Sequence, residues 1–359
     1  MCKIPRNDEA TIEKNLIQVL GEGHNQWNYR SDLKSEEDLW ENLRRKITQN
    51  NLSEIGENPI TDKEFDSIKI ELLLHTKTPF HAAKWLKGEN GIARITIDRE
   101  EVALGSMSLI LYSNQDIGGG ISTYEVVNQI AKRKSDIDDR ERRFDVTLLI
   151  NGLPIVQIEL KQAGAKDGYY QAFNQIKKYA GEGMFRNNIF STLQLFVVSN
   201  DKTTRYFANA LPKDMHKKFL FSWRTTDNRK VDNVYEFCKQ VLNIPDAHRL
   251  IAHYTIVSED HDNKALMVLH PYQIHAIEAL FTSAMKHESG YVWHATGSGK
   301  TLTSFVATKL LARKSGVDRT IMVIDRKDLD SQTTSEFTKF ASEFNTGISS
   351  GNVRANSLI

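Results

Sequence analysis

The sequence predicts a protein of the α/β class. Apolar residues spaced three and four apart predict amphipathic helices in the first hundred residues and again at about 168–179. Two continuous apolar runs within 144–160, and a third at 193–199, predict buried strands among these helices. The same alternation fits an α+β arrangement, and the pattern alone leaves that choice open.

The composition excludes several classes of protein. Forty-seven basic and 46 acidic residues leave a net charge of +1, so any contact with nucleic-acid phosphates requires a local patch. Two cysteines in 359 residues are too few for a disulfide framework or a cysteine-built zinc site. No apolar run approaches the roughly 20 residues that span a bilayer. We therefore expect two or three compact domains in a cytoplasmic protein that has no membrane partner.

Helix start and stop signals organise the first hundred residues. A helix with an apolar face is predicted to end at Gly21, and two further helices are predicted to begin near Ser35 and Thr61. Of these two starts, only Thr61, followed three residues later by Glu64, matches the stricter capping-box pattern. The pattern becomes strand-like from 91 to 112.

The dipeptide Asn151-Gly152 lies between two apolar runs and predicts a β-hairpin. Asp145 begins the first strand, whereas Glu159 and Lys161 end the second strand on one shared face. A two-residue loop sets Asp145 opposite Ile158 and leaves Glu159 on the wrong face. A three-residue loop, or an equivalent bulge, sets Asp145 opposite Glu159, so a shared carboxylate site requires one of these two irregularities.

Asp145, Glu159 and Lys161 form a candidate catalytic site. Two carboxylates on one face suit a hard cation such as Mg²⁺, which makes Asp145 and Glu159 candidate metal ligands. With Lys161 steadying an attacking hydroxide or the developing charge, the residues predict phosphodiester hydrolysis. The alternative is a surface strand on which the glutamate and the lysine form a weak solvated pair.

Polar groups on both sides of the hairpin are candidates for phosphate contacts. Gln175 and Tyr179 are one turn apart on the next predicted helix, so both project from one face. A cationic run, formed by Arg140, Arg142 and Arg143, precedes the hairpin's first acid. The alternative for the arginines is a solvated run of charge.

A phosphate-loop sequence, His-Ala-Thr-Gly-Ser-Gly-Lys-Thr, occupies residues 294–301, with His294 at the first glycine position. Its glycines free backbone amides that wrap a triphosphate, and its lysine reaches the outer phosphates. Thr301 supplies an oxygen to the Mg²⁺ of the nucleotide. The alternative is a Gly-Ser-Gly turn that only joins a strand to a helix. The candidate nucleotide-binding residues here are Thr296, Gly297, Ser298, Gly299, Lys300 and Thr301.

The loop belongs to a predicted strand, loop, helix and strand unit, with strands at Gly290–Trp293 and Thr320–Ile324. Asp325 ends the second strand as a Walker B acid would. Because basic residues follow it, we interpret Asp325 as the cap of the next helix. No strand ending in Asp-Glu follows before Ile359, so we expect the chain to stop inside an ATPase module.

A charged stretch without periodicity at 257–265 predicts the main domain boundary. The predicted organisation is a first domain at 1–210, a helical connector at 211–262 and a second domain at 263–359.

These motifs resemble the R, or restriction, subunit of type I restriction-modification enzymes. Asp145, the triplet Glu159-Leu160-Lys161 and the hairpin sequence Ile-Asn-Gly-Leu-Pro are similar to its N-terminal nuclease of the PD-(D/E)xK superfamily. Phe144 stands where the motif's name has proline. The resemblance implies a nuclease domain with a central mixed sheet flanked by helices.

The resemblance extends to residues around the hairpin. Gln175 and Tyr179 are similar to the Gln-xxx-Tyr element of that nuclease, and both are candidate DNA or support residues. Glu13 matches the acid that such nucleases often place near the metal. Its alternative is a position on a solvated helix face.

The second half of the chain resembles the first RecA-like lobe of a superfamily-two helicase, incomplete because it is truncated before Walker B. Pro271-Tyr272-Gln273 is similar to the element that reads adenine, with Gln273 as the base contact. Residues 293–302 resemble the family's phosphate loop, including its histidine, and residues 323–332 resemble the next helicase motif, which contacts a DNA strand.

The resemblance implies an ATP-dependent endonuclease that translocates and cuts double-stranded DNA with Mg²⁺ and ATP. It implies methyltransferase and specificity subunits as partners. This chain alone is expected to bind nucleotide weakly without hydrolysing it. Two other interpretations remain open: a helicase-like DNA-processing ATPase, or an assembly module, whose nuclease fold only clamps DNA.

Overall fold

The computed structural model describes residues 8–23, 26–115, 117–135, 138–165, 167–260, 263–321, 323 and 340. Contacts divide the chain into two units, Met1–Trp223 with Lys230–Ala252, and Arg224–Arg229 with His253–Ile359. The predicted segments 1–210, 211–262 and 263–359 stay predictions. Among the described residues, no helix combines the length and the apolar character needed to span a membrane.

Eight helices are described in the first unit. They are α1 (Glu9–Leu20), α2 (Glu36–Asn50), α3 (Leu52–Ile55), α4 (Asp62–His75), α5 (Pro79–Lys87), α6 (Gly168–Gly181), α7 (Val234–Val241) and α8 (Asp246–Ala252). Thr61 and Glu64 form the predicted capping box. Ser35 and Asp38 form one as well, although an aspartate in this position falls outside the stricter pattern. An aspartate at the third helical position reaches the cap backbone as glutamate does.

A six-stranded mixed sheet forms the centre of the first unit, in the order β1-β4-β5-β6-β7-β8. The strands described between residues 28 and 231 are β1 (Asn28–Tyr29), β2 (Ile92–Asp98), β3 (Ser106–Ser113), β4 (Tyr124–Ser135), β5 (Asp138–Ile150), β6 (Leu153–Leu160), β7 (Leu195–Ser199), β8 (Thr204–Ala208), β9 (Trp223–Arg224) and β10 (Lys230–Val231). Of these, β2 with β3 and β9 with β10 form separate two-stranded sheets. β1 and β4, and β6 and β7, pair in parallel, whereas the other neighbours in this sheet are antiparallel. The predicted α/β fold with a central mixed sheet flanked by helices is confirmed. The strand-like pattern at 91–112 corresponds to the antiparallel pair β2 and β3.

Helices cover both faces of the sheet. Tyr206 and Phe207 are neighbours in β8, so their side chains point to opposite faces. The ring of Tyr206 lies 5.9 Å from Phe237 of α7, and the ring of Phe207 lies 5.2 Å from Phe173 of α6. Burial on both faces explains why β6 consists of buried residues throughout and reads as a continuous apolar run.

The hairpin between β5 and β6 has a two-residue turn. Asn151 and Gly152 have φ angles of +53° and +82°, and Ile150 pairs with Leu153 across them. A Cβ atom at Gly152 would lie 3.0 Å from the Cα of Leu43, so the turn requires glycine for packing as well as for its backbone angle. The alternative of a three-residue loop is therefore wrong.

A bulge in β6 provides the irregularity that the carboxylate site requires. Leu149 pairs with Pro154, but Leu148 pairs with Val156, which leaves Ile155 as the extra residue. The predicted equivalent bulge is confirmed.

The second unit contains the antiparallel strands β11 (Thr255–Asp260) and β12 (Asn263–Val268), followed by α9 (Pro271–Met285) and α10 (Lys300–Ala312). The predicted strand at Gly290–Trp293 is wrong, since these residues form no strand and Trp293 is 92% exposed. An extended segment becomes a strand only when a neighbour accepts and donates its backbone hydrogen bonds. No described residue pairs with this segment.

The rest of the predicted nucleotide-binding unit falls largely outside the described residues. Within the predicted strand Thr320–Ile324, residues 320, 321 and 323 are described and are not strand. Asp325, and the predicted helicase motif at 323–332 apart from Val323, lie outside the described residues.

Candidate active site

The bulged register brings the two predicted carboxylates to neighbouring positions. Val146 pairs with Ile158, and extending this register by one residue sets Asp145 across from Glu159. Oδ2 of Asp145 accepts a hydrogen bond from the backbone N–H of Leu160 at 2.7 Å, which fixes the aspartate beside the end of β6.

Glu159 is a fully buried acid whose two oxygens are unpartnered. Its residue exposure is 0%, and neither Oε1 nor Oε2 has a hydrogen-bond partner among the described residues. Nζ of Lys161 lies 3.7 Å from Oε1 and donates instead to the backbone oxygen of Leu160 at 2.8 Å. An ionised carboxylate in this position is expensive unless a cation or a donor meets it.

Burial and mutual repulsion raise the pKa values of both acids. Burial raises the pKa of Asp145 to about 6, against the opposing effects of the Leu160 N–H and Lys161. Burial, followed by the charge of Asp145, raises the pKa of Glu159 well above its usual range. The positive charge that the chain places near these two acids is therefore too small to keep both of them fully ionised at neutral pH.

These residues fit a hard divalent cation. Asp145 and Glu159 present oxygen ligands, and the two orphaned buried oxygens of Glu159 are an acceptor set without a donor. In the described part of the chain, no group of three or more acids, histidines or cysteines is arranged to hold a metal ion. A cation at this site would accordingly draw its remaining ligands from water or substrate.

Glu13 lies near the carboxylate pair, with its own oxygens bound to residues of β4. Its carboxylate accepts hydrogen bonds from the side-chain amides of Asn128 and Gln129 in β4. Its charge adds to the effect of burial in raising the pKa of Asp145. Glu13 thus lies near the carboxylate pair while its oxygens are already bound, and its supporting role stays a prediction.

Glu9 is a site residue that the sequence reasoning missed. Its Oε1 accepts a hydrogen bond from the backbone N–H of Gln162 at 3.2 Å, just beyond Lys161. Its charge contributes, after burial, to the raised pKa values of both Asp145 and Glu159. The available signal was spacing, because Glu9 precedes Glu13 by one helical turn and shares its face.

The helix α6 places Gln175 and Tyr179 next to the acids. Nε2 of Gln175 donates to the Tyr179 hydroxyl at 2.8 Å. Burial, with the charge of Glu159 as the next cause, raises the pKa of Tyr179 to about 12, so this phenol is neutral at physiological pH. The predicted shared face of these two residues is confirmed by their direct contact.

The arginines of the predicted cationic run have different surroundings in the structure. Arg142 forms two hydrogen bonds to the Glu182 carboxylate, at 3.0 and 3.1 Å, and its guanidinium lies 5.9 Å from the ring centroid of Tyr179. It therefore ties the end of α6 to β5. The side chain of Arg143 is exposed, and that of Arg140 lies outside the described residues.

We predict that the metal-free chain loses stability through Asp145 as the pH rises from about 4 to about 6. The folded chain holds this proton with a pKa of about 6, whereas an unfolded aspartate has a pKa of about 3.9. The contribution of Asp145 to the free energy of unfolding is thus intact below pH 4 and is lost as the pH rises to the pKa of the folded chain. The total loss is about 3 kcal/mol.

Urea unfolding in EDTA measures this effect as the difference in unfolding free energy between wild type and Asp145→Asn at each pH. Taking this difference cancels the pH-dependent stability that comes from acids with lowered pKa values, such as Asp32 and Glu64, because both proteins contain them. A difference that stays constant or moves in favour of wild type with rising pH would contradict the prediction.

The phosphate-loop residues form a compact turn at the start of α10, within the second unit. Gly297 and Gly299 have φ angles of +75° and +78°, and the helix begins at Lys300. Nζ of Lys300 donates to the backbone oxygen of Ala295 at 3.2 Å, while Thr301 is half-buried in the first turn. The glycines therefore adopt the left-handed conformation that an amide cradle needs.

Residues of α9 contact this turn. The Tyr272 hydroxyl donates to the backbone oxygen of Ser298 at 2.9 Å. Nε2 of Gln273 lies 3.5 Å from the oxygen of Gly299, and its Oε1 accepts from the His270 N–H at 3.0 Å. The predicted adenine element and the phosphate loop are adjacent, although Gln273 is buried and occupied as a helix cap. The base contact stays a prediction.

The fold and these two sites define a class of α/β protein that combines a buried carboxylate pair with a phosphate-loop sequence. Residues 6–214 match the family described as type I restriction enzyme R protein N terminus. Residues 266–357 match the family described as type III restriction enzyme, res subunit. Because the first match covers more than half of the chain, the chain belongs to the type I restriction enzyme R protein family.

Named relatives agree with this family. The type I restriction enzyme endonuclease subunit of Staphylococcus aureus strain MSSA476 is 34% identical over 313 residues, covering 87% of this chain and 31% of the relative. A Staphylococcus saprophyticus counterpart is 35% identical over 311 residues, covering 86% of this chain and 31% of the relative. A putative counterpart from Methanocaldococcus jannaschii is 24% identical over 280 residues, covering 75% and 26%. The chain thus spans about a third of the length of the staphylococcal relatives.

Proposed function

We propose that this chain supplies the nuclease and the first part of the ATP-driven motor of a type I restriction enzyme. The single observation that carries the nuclease assignment is Glu159, a fully buried acid with two unpartnered oxygens beside Asp145 and Lys161. Buried charge of this kind is costly for folding and is retained where chemistry uses it. The relatives are named as endonuclease subunits, which supports the same assignment.

We assign the first unit to the PD-(D/E)xK nuclease fold and the second unit to a RecA-like lobe. The hairpin with its bulge, Asp145, Glu159 and Lys161 support the nuclease fold. The left-handed glycines of the 294–301 loop support the nucleotide-binding lobe. A domain organisation of 1–210, 211–262 and 263–359 is part of this proposal.

In the proposed nuclease, Asp145 and Glu159 hold Mg²⁺. When bound there, the cation would supply polarisation of the scissile phosphodiester and a lowered pKa for a coordinated water. The Lys161 ammonium, 3.7 Å from Glu159, steadies the attacking hydroxide or the charge that develops on the phosphate oxygens. Gln175 and the neutral Tyr179 donate hydrogen bonds to the DNA backbone.

In the proposed motor, the backbone amides of 296–299 wrap the triphosphate of ATP and Lys300 reaches its outer phosphates. Thr301 supplies a hydroxyl to Mg²⁺, and Gln273 contacts the adenine. ATP-driven translocation of double-stranded DNA then delivers the substrate to the carboxylate pair. Methyltransferase and specificity subunits are the proposed partners, and they determine the target sequence in the cytoplasm.

We expect Lys161→Ala to slow DNA cleavage by the complete enzyme by a factor of about 10² or more. Its ammonium is the positive charge nearest the acids on β6, whereas ATP hydrolysis does not use it. Cleavage of unmodified DNA and ATP hydrolysis are measured together, with Mg²⁺ and both partner subunits. Lys202→Ala is the control, since Lys202 is an exposed lysine on a turn after the neighbouring strand.

Cleavage by Lys161→Ala at the wild-type rate would contradict the nuclease assignment. With ATP hydrolysis retained, that result would favour a DNA-processing ATPase or an assembly module in which the nuclease fold only clamps DNA.

A further inference from the structure

We propose that a surface of five lysines on and next to α6 binds the phosphate backbone of duplex DNA. This lysine surface consists of Lys177, Lys178, Lys213, Lys217 and Lys218. It joins the outer side of α6 to the segment 213–219. The inference rests on the proposed nuclease function and specifies how its substrate is held.

The segment 213–219 is fixed to α6 and to the sheet. Met215 is 2% exposed and anchors the segment, and its backbone oxygen accepts a hydrogen bond from Nζ of Lys177 at 2.9 Å. A short 3-10 helix follows at Lys217–Phe219. Phe221 and Tyr206 then exchange two backbone hydrogen bonds of 3.0 Å. The lysines are therefore presented from an ordered support.

The positive charges of this surface are uncompensated. Elsewhere in the first unit, lysines face carboxylates, as in Lys46 with Glu125 at 3.2 Å and Lys63 with Glu100 at 2.7 Å. None of the five lysines forms an ion pair among the residues for which side chains are described. Asp214 is the acid within the segment, and it is exposed. Five lysines and one acid give this surface a local excess of positive charge, in a chain whose total charge is +1.

Aromatic rings hold the lysines without neutralising them. Nζ of Lys217 lies 4.4 Å from the ring centroid of Tyr170 on α6, and Nζ of Lys218 lies 4.9 Å from that of Phe219. A cation over a ring keeps its full charge, unlike a cation paired with a carboxylate. Phe219 is itself 45% exposed beside these ammonium groups. The pattern of lysines interleaved with aromatic rings suits a phosphate backbone.

Helix α6 links the lysine surface to the carboxylate pair. It carries Lys177 and Lys178 and also Tyr179, whose hydroxyl is close enough to Glu159 for that charge to contribute to its raised pKa. Nine residues of helix separate Tyr179 from Tyr170, a rise of about 13 Å. Each DNA strand carries one phosphate per about 3.4 Å of duplex axis, so a helix of this length lying along the duplex spans the axial rise of about four phosphates. Lysine ammonium groups act as point charges on phosphates, which predicts binding independent of base sequence.

The test compares duplex DNA binding by the 359-residue chain and a triple variant, Lys213→Gln, Lys217→Gln and Lys218→Gln. A fluorescent random-sequence duplex of about 30 base pairs serves as the probe, with anisotropy recorded at several salt concentrations. We expect the triple variant to bind about tenfold or more weakly at roughly 0.1 M salt. The slope of log K against log salt should fall by about two to three.

A matched variant removes three exposed charges outside the lysine surface, Arg45→Gln, Lys77→Gln and Lys239→Gln. It changes the net charge equally and is expected to keep the wild-type affinity and salt slope. Unchanged binding by the surface variant, or equal weakening by both variants, would overturn the proposal. Thermal unfolding of each variant identifies any loss of fold. If the triple variant is unfolded, the single variant Lys213→Glu replaces it, because Lys213 is exposed and has no ring contact among the described residues, and weaker duplex binding is again the expected result.

Cleavage by the complete enzyme separates this inference from the proposed function. The surface variant should raise the DNA concentration needed for half-maximal cleavage while leaving the rate at saturating DNA within about twofold of wild type. If the surface variant binds and cleaves as wild type while cleavage still depends on Lys161, the nuclease assignment stands and the lysine surface is wrong.

Discussion

Replacing Glu159 with glutamine is expected to abolish DNA cleavage without lowering the stability of the metal-free chain. The substitution keeps the shape of the side chain and removes a buried charge whose oxygens have no hydrogen-bond partner among the described residues and whose ion-pair partner, Nζ of Lys161, lies 3.7 Å away. A neutral amide is a poor ligand for Mg²⁺ compared with a carboxylate, so cleavage should fall by about 10³-fold or more. Cleavage of unmodified DNA by the complete enzyme measures the loss.

The stability half of this prediction follows from the burial of Glu159. Its raised pKa shows that the folded chain disfavours the ionised acid, so at pH 8 in EDTA a neutral glutamine should unfold at the same or a higher urea concentration. Mg²⁺ should reverse the order, because wild type gains stability from binding the cation and the variant does not. Urea unfolding with and without Mg²⁺ provides this second measurement.

Glu125→Gln is the matched control, since Glu125 is an equally buried glutamate with partners. Its carboxylate meets Arg30 at 2.6 Å, Asn42 at 2.8 Å and Lys46 at 3.2 Å. Losing that charge should destabilise the chain by about 3 kcal/mol and produce no specific loss of the Mg²⁺ response. If Glu159→Gln cleaves DNA normally, or destabilises the metal-free chain as Glu125→Gln does, Glu159 is a structural residue.

The second large effect is expected at Lys300, where alanine should remove ATP hydrolysis from the complete enzyme. Lys300 is exposed at the first position of α10, and its ammonium bonds only to the loop's own Ala295 oxygen among the described residues. That weak contact leaves it available for the outer phosphates of ATP, where it stabilises the charge of phosphoryl transfer. We expect a loss of about 10²-fold or more in hydrolysis and of DNA translocation with it.

Hydrolysis in the complete enzyme and binding of a fluorescent ATP analogue by this chain are the two measurements. Lys286→Ala serves as the control, because Lys286 is an exposed lysine directly after α9. Normal hydrolysis by Lys300→Ala would show that the 294–301 loop is a connection between elements and binds no nucleotide. DNA cleavage by Lys300→Ala does not test the nucleotide-binding assignment, because DNA already bound at the nuclease could be cut without ATP hydrolysis.

The sequence was informative about the nuclease site because local patterns there agree with the fold. The Asn151-Gly152 dipeptide predicted the hairpin, and the shared carboxylate site required either a three-residue loop or an equivalent bulge. The fold has the two-residue turn with a bulge at Ile155. Glu9 was missed because it is distant in sequence from Gln162, to which it is hydrogen-bonded. The strand expected at Gly290–Trp293 failed because strand formation depends on a pairing neighbour.

Sequence alone determined the identity and order of the chemical groups: two acids and a lysine at the ends of one hairpin, then a glycine-rich loop at the start of a helix. Periodicity and turn residues act over a few positions, so they are readable without coordinates. The tertiary structure established that both oxygens of Glu159 are buried without a hydrogen-bond partner among the described residues, that Arg142 is bonded to Glu182, and that Lys177 lies against the lysine-rich segment 213–219. Those properties arise from contacts between elements far apart along the chain, where burial and charge depend on what packs alongside.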